Sequence, residues 1–155
     1  MTSVFAWLEG TRVALTVRDS LMLTGALSSV HLLGFTLTTG GALVANLNLL
    51  GVLLADRAPI VVSRPATRGI LAGLTISLLT GVLLFAPRAT TASVNGFFQA
   101  KMALLVAASV FHLAVHQHVV RREGTSVALR RLTAGIGLLL WTGLALAGCA
   151  FILLE

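Results

Sequence analysis

Apolar residues run along this chain in four long stretches, separated by short polar segments that carry most of the charge. The stretches cover about 21–46, with an apolar continuation to 54, then 69–86, 97–120 and 132–154. Each reaches or nearly reaches the roughly 20 residues a helix needs to cross the hydrocarbon core of a bilayer. The pattern predicts an all-α fold: a transmembrane four-helix bundle made by the whole chain, 1–155, as a single domain. The first stretch is too long for one upright span. Either it tilts strongly, or its Asn46–Leu54 end emerges as helix or turn. Pro87 closes the second stretch, and Thr67 and Arg68 can extend it at its start. Ahead of the first span, Phe5, Trp7, Leu8, Val13, Leu15 and Val17 alternate with Glu9, Arg12 and Arg18. Residues 1–18 therefore read as a short interfacial helix, weakened at Gly10.

Composition agrees with the pattern. The chain has 155 residues, 57% of them hydrophobic and only 10% charged, with mean hydropathy +0.98. A soluble domain of this size cannot hide that much apolar surface, so the protein is expected in a membrane. Cys149 is the only cysteine, which leaves no intramolecular disulfide and no Cys-x-x-Cys-His attachment for a covalent haem. The first eleven residues hold no Lys or Arg, so no cleavable secretory signal is expected.

The net charge of +6 is not a nucleic-acid signal, because the cations sit in short segments at the ends of the apolar stretches. Arg57, Arg64, Arg68, Arg121, Arg122, Arg130 and Arg131 fall on one side of the predicted bundle. Arg12, Arg18, Arg88 and Lys101 fall on the other. The positive-inside rule puts the first group in the cytoplasm and both termini outside, in a bacterial inner membrane.

Two histidines then change the picture. His31 lies inside the first stretch and His112 inside the third. Hydrocarbon offers an imidazole no water, so each ring needs a hydrogen-bond partner, a metal or a hydrated cavity. His31 is 12 residues past Asp19, and His112 is 11 past Lys101. If those charges mark the same membrane face, both rings sit roughly 16–18 Å below it, and His31 and His112 can share one metal. A b-type haem held by two imidazoles is the expected ligand, and structural hydrogen bonding of each ring is the alternative.

The neighbours fit either reading. Thr24, Leu27, Ser28, Gly34, Phe35, Thr38 and Ala42 share a face with His31. Most are small, which suits a flat porphyrin and equally suits close helix packing. Lys101, the only lysine, returns to within about 20° of the His112 face. There it can pair with a haem propionate or anchor the helix end by snorkelling. His116 lies one turn beyond His112, as an alternative ligand, a supporting group or part of a proton path. His118 points elsewhere, toward solvent. His112 and His116 have the spacing of a metal pair, but no carboxylate or cysteine at that depth completes a zinc or di-iron set. Hydrolytic and phosphoryl chemistry have no candidate residues.

Several short motifs carry a family resemblance. They are His31-Leu32-Leu33-Gly34 in the first span, Asn46-Leu47-Asn48-Leu49-Leu50-Gly51 at its exit, and Asn95-Gly96-Phe97-Phe98-Gln99-Ala100-Lys101 ahead of His112. Across roughly residues 5–120 the chain resembles a bacterial four-helix membrane family of unknown function. That family is similar in layout to bis-histidine b-type membrane cytochromes and to copper-resistance D-type membrane proteins. This chain has Asn46 where that pattern has aspartate. The resemblance implies a haem and redox partners, without a named substrate.

The sequence thus leads to the expectation of an electron-transfer subunit holding one b haem through His31 and His112. The expected partners are membrane lipid, other subunits of a redox complex or further copies of itself, and a quinone. Two alternatives stand beside it. One is a cofactor-free accessory subunit that packs through Gly69, Gly73, Gly135, Gly137, Gly143 and Gly148. The other is a copper-handling protein using Met1, Met22 and Met102, which form no methionine-rich path.

Overall fold

The computed structural model describes residues Thr2–Leu153; Met1, Leu154 and Glu155 lie outside the described part. Two short helices open the chain, α1 (Thr2–Glu9) and α2 (Arg12–Asp19). The four spanning segments are α3 (Leu21–Leu50), α4 (Pro59–Phe85), a third built from α6 (Gly96–Val110), a π turn (Phe111–His116) and α7 (Gln117–Arg121), and α8 (Val127–Leu153). All four are long and apolar enough to cross a membrane, so this is a multi-pass membrane protein.

Local chemistry sets most of the boundaries. The Ser20 hydroxyl accepts from Leu23 N and caps α3, and Gly51, at φ +79°, ends it in the left-handed conformation. Asn48 then holds the following turn by donating to the carbonyls of Leu53 and Leu54. Asn95 starts α6 by accepting from Phe97 N and Phe98 N.

The second span departs from the expectation of 69–86, because it starts ten residues earlier, at Pro59. Proline is favoured at a first helical position, where its missing N–H costs nothing. Arg64 and Arg68 are exposed on the first turns of α4 and do not form a loop. The expected 87–96 loop is likewise mostly helical, as a 3-10 turn (Ala86–Arg88) and α5 (Ala89–Val94). The lead-in is two helices broken at Gly10, where one was expected.

The bundle is small-residue inside and large-residue outside. Ala42, Ala108 and Ala134 are fully buried, while Leu33, Leu79, Leu139 and Leu146 are mostly exposed. Lipid chains are as apolar as leucine, so association of the helices relies on close packing instead. The closest approach is the α3–α4 seam. A Cβ on Gly73 would collide with the Gly34 carbonyl, the Thr38 hydroxyl and the Thr38 backbone N, and one on Gly34 would lie 2.9 Å from the Gly73 carbonyl. Gly137 sits against the Asn46 side chain in the same way. Of the six glycines considered for packing against partner subunits, Gly135 alone faces open space; the others meet side chains or backbone of their own chain.

The helices form an incomplete ring. α3 packs along α4 and α8, and α6 packs along α8, whereas α4 meets the third span at the end carrying α7. Toward the other end α4 and α6 stand apart. There α1 and α2 fold across, and we call this the lead-in end. Glu9 fixes them by accepting from Thr90 N (2.8 Å) and Thr90 Oγ1 (2.6 Å), and Phe5 packs edge-on to Phe85 at 6.0 Å.

The Thr90 hydroxyl and then its backbone N–H, with some help from Arg18, hold the Glu9 carboxyl below its ordinary value of 4.5. A depressed carboxylate stabilises above its unfolded value and loses that contribution as pH falls through the folded one. Hydrogen exchange in residues 5–18 should therefore accelerate as pH is lowered below about 4.5, after correction for intrinsic rates. In Glu9→Gln that dependence should be absent. An unchanged pH response in Glu9→Gln would remove the latch from this account.

Candidate functional site

The gap between α4 and α6 is a cavity of about 1190 Å³. It exceeds the roughly 300–1,000 Å³ typical of small-molecule sites. All four spans and the lead-in contribute. Phe35, Leu74, Leu105 and Leu144 line its apolar depth, while Phe5, Phe85, Phe98 and Phe151 form a run of ring contacts near the lead-in. Its charged lining residues, among those described, are Arg18, Arg88 and Lys101, with no carboxylate. Such a site suits an apolar body with an anionic edge.

His31 and Ser28 both line this cavity. The His31 ring lies against α4 at Gly81, where a Cβ would come within 3.2 Å of Cε1. Its Nδ1 is 3.0 Å from the Thr80 hydroxyl oxygen, and that hydroxyl donates to the Ile76 carbonyl at 2.7 Å. The single Thr80 hydrogen is thereby used, so Thr80 accepts and His31 Nδ1–H donates. This assigns the neutral ring the Nδ1–H tautomer and leaves the lone pair on Nε2. A supporting acceptor on one nitrogen and a lone pair on the other is how metal-binding imidazoles are usually held.

Lys101 also lines the cavity, with its Nζ 6.0 Å from the Phe151 ring centre and its stem beside Gly148. The structure thus pairs Lys101 with His31, not with His112. The expected face of small residues divides in two. Thr24, Ser28 and Phe35 turn to the cavity, whereas Gly34 and Thr38 are buried in the α3–α4 seam. Gly34 is a packing residue and does not line the cavity.

His112 is elsewhere. Its Nε2 is 3.0 Å from the Thr67 hydroxyl, while His31 bonds Thr80. Thr67 and Thr80 are thirteen residues apart on one helix, about 20 Å. His31 and His112 therefore do not lie at one depth and cannot bind one iron. The depth expectation failed because Lys101 lines the same cavity as His31 and so cannot mark the level from which His31 was counted. From Lys101, α6 carries His112 about 16 Å further along.

His112 instead belongs to a buried polar cluster near the opposite end. Gln117 donates to Ser63 (2.9 Å) and Thr67 (2.8 Å), and the His112 and His116 rings stack 4.7 Å apart. The π turn that holds both histidines is a rare distortion, frequent at functional sites. Trp141 meets His112 edge-on at 6.5 Å. The sequence reading missed Thr80, Gly81, Gln117 and Trp141, and it named Thr67 and Asn46 without giving either a place in a buried cluster. A glutamine and well-spaced hydroxyls inside apolar stretches were the available signal. His118 is exposed, as expected.

Among the described residues no three His, Cys, Asp or Glu side chains gather in one place. Met22 is exposed and Met102 borders the cavity, while Met1 lies outside the described part.

Fold and site together define a four-span membrane protein with one large cavity open between two of its helices. The chain belongs to the family described as "Family of unknown function (DUF6644)", which matches residues 5–153. No curated protein and no solved structure matches it.

Proposed function

We propose that this protein is a membrane-embedded b-type haem electron-transfer subunit, with the haem in the cavity at the lead-in end and His31 as its protein ligand. The observation that carries this reading is a cavity-lining His31 ring held at Nδ1 by the Thr80 hydroxyl. Thr80 fixes Nδ1–H, and a ring that lines the cavity keeps its lone pair on Nε2. Cavity size, apolar depth and an all-cationic set of charged lining residues support it.

His112 does not fit the ligand role. It is about 20 Å away along α4, and its Nε2 already faces Thr67. When bound, a b haem would supply one-electron transfer, at a potential set by its protein ligand and its burial. The residues of this chain do the rest. Thr80 orients His31, the phenylalanine run excludes water, and Arg18 and Lys101 offer charge to propionates. The partners are other membrane subunits or further copies, lipid, and a lipid-soluble quinone. The glycines that motivated a cofactor-free accessory role are mostly taken up within the bundle.

The test is the visible spectrum of protein expressed with ample haem. A Soret band should co-purify. In Lys101→Met, haem should dissociate faster or its midpoint potential should shift. Absence of any Soret band would overturn the reading. We further propose a bacterial inner-membrane location, with the lead-in end facing the periplasm. In a Cys149→Ser background, cysteines placed at Arg64 and Thr125 should be labelled from the cytoplasmic side. Labelling of both from the periplasm would reverse the orientation.

A further inference from the structure

Haem iron in proteins is held by imidazole, thioether, thiolate or phenolate side chains. Among the described residues that line the lead-in cavity, two carry such a group: His31 and Met102. They come from different walls. His31 is on α3, which packs along α4 and α8. Met102 is on α6, which packs along α8 and stands apart from α4 at this end. α3 and α6 therefore face each other diagonally, with the cavity between them. The two axial ligands of a planar macrocycle approach from opposite faces, as opposite walls allow.

Two contacts between α4 and the third span fix the height of Met102. The Phe85 and Phe98 rings stack at 5.1 Å. Further along, the Thr67 hydroxyl meets His112 Nε2 at 3.0 Å and Gln117 Nε2 at 2.8 Å. Numbers fall along α4 as they rise along the third span, so the two run antiparallel. Gly81 is four residues from Phe85 and Met102 is four from Phe98, a step of about 6 Å in each helix. Counted from the other contact, Gly81 is 14 residues from Thr67, and Met102 is 10 from His112 and 15 from Gln117. Both counts set Met102 level with Gly81. Gly81 is where the His31 ring rests, its Cε1 lying 3.2 Å from the Gly81 Cβ position.

Lys101 is the neighbouring alternative, since a neutral amine also binds iron. Its stem, however, lies beside Gly148 of α8. Its Nζ is 6.0 Å from the centre of the Phe151 ring, which in turn meets Phe98 at 5.5 Å. The ammonium is thus turned into the phenylalanine run, nearer the lead-in end. Met102 is about 100° round the helix from Lys101, turned from α8 toward the gap beside α4. At 38% exposed, its side chain is not sealed into the bundle core. An unbranched thioether with three rotatable bonds can bring its sulfur inward.

We propose that Met102 is the second protein ligand of the haem iron, across the cavity from His31. This assignment rests on the haem reading given above and fills the axial position that reading leaves open. A thioether in place of a second imidazole favours ferrous iron, so the site has a higher potential than a bis-histidine one.

The test uses the full chain purified in detergent after expression with ample haem. The oxidised protein should be low-spin and show the weak far-red absorption of a thioether bound to ferric iron. Met102→Leu conserves apolar volume at a partly exposed position, so the fold should tolerate it. It should keep a Soret band, lose the far-red band and turn high-spin. Met102→His should restore low-spin iron without the far-red band, at a midpoint potential below that of wild type. Met22→Leu, at an exposed position outside the cavity lining, should change neither spectrum nor potential. A wild-type Soret band with no far-red band, or a far-red band that survives Met102→Leu, would overturn the Met102 assignment and leave the haem reading in place. Absence of any Soret band would overturn the haem reading itself, and this assignment with it.

Discussion

His31→Ala is expected to abolish the Soret band of protein expressed with ample haem, while His112→Ala leaves it in place. The contrast is sharp because the two rings differ in position, not in type. His31 lines the cavity and keeps an unprotonated Nε2, whereas His112 is about 20 Å along α4 and bonded to Thr67. Thr80→Val should give an intermediate result. It keeps the ligand and removes the acceptor that fixes its tautomer, and loss of such a supporting group typically weakens metal affinity about 10–100-fold. Thr80 also bonds the Ile76 carbonyl of its own helix, so the folded state of this variant should be checked by circular dichroism. Equal loss of haem in His31→Ala and His112→Ala would contradict the separation of the two sites.

Gly73→Ala should have the largest effect on stability. The added methyl would meet the Gly34 carbonyl and the Thr38 backbone N, and backbone cannot swing aside as a side-chain tip can. Overpacking typically costs about 1–3 kcal/mol, and forcing two helix backbones apart should reach the upper part of that range. Gly135→Ala is the matched control. Nothing lies within 4 Å of its Cβ position, and alanine improves helix propensity by up to about 1 kcal/mol. Thermal unfolding in detergent should separate the two variants clearly. Gly73→Ala should also reduce haem retention, because the seam sets how far α3 slides along α4 and hence whether His31 meets Thr80. A Gly73→Ala protein as stable as Gly135→Ala would mean that this seam does not fix the register.

The sequence by itself determined the class of fold, because length and apolarity are local properties that a bilayer reads directly. It also determined the caps at Ser20 and Asn95 and the stop at Gly51, which are chemistry of a few adjacent residues. It singled out His31, Ser28, Lys101, His112 and His116 as polar groups needing partners. What it did not contain was the relative height of the helices. Asp19 and Lys101 served as depth marks, yet Lys101 lines the same cavity as His31, so the two charges do not mark one level. Register was decided by Gly34 against Gly73, a contact between residues 39 positions apart that no pattern along either stretch reveals. That contact put His31 beside Thr80, moved Gly34 from ligand face to seam, and left His112 to the Trp141 cluster. The cavity was equally invisible in the sequence. It exists because α4 and α6 do not close on each other, and a gap between two helices belongs to neither one's sequence.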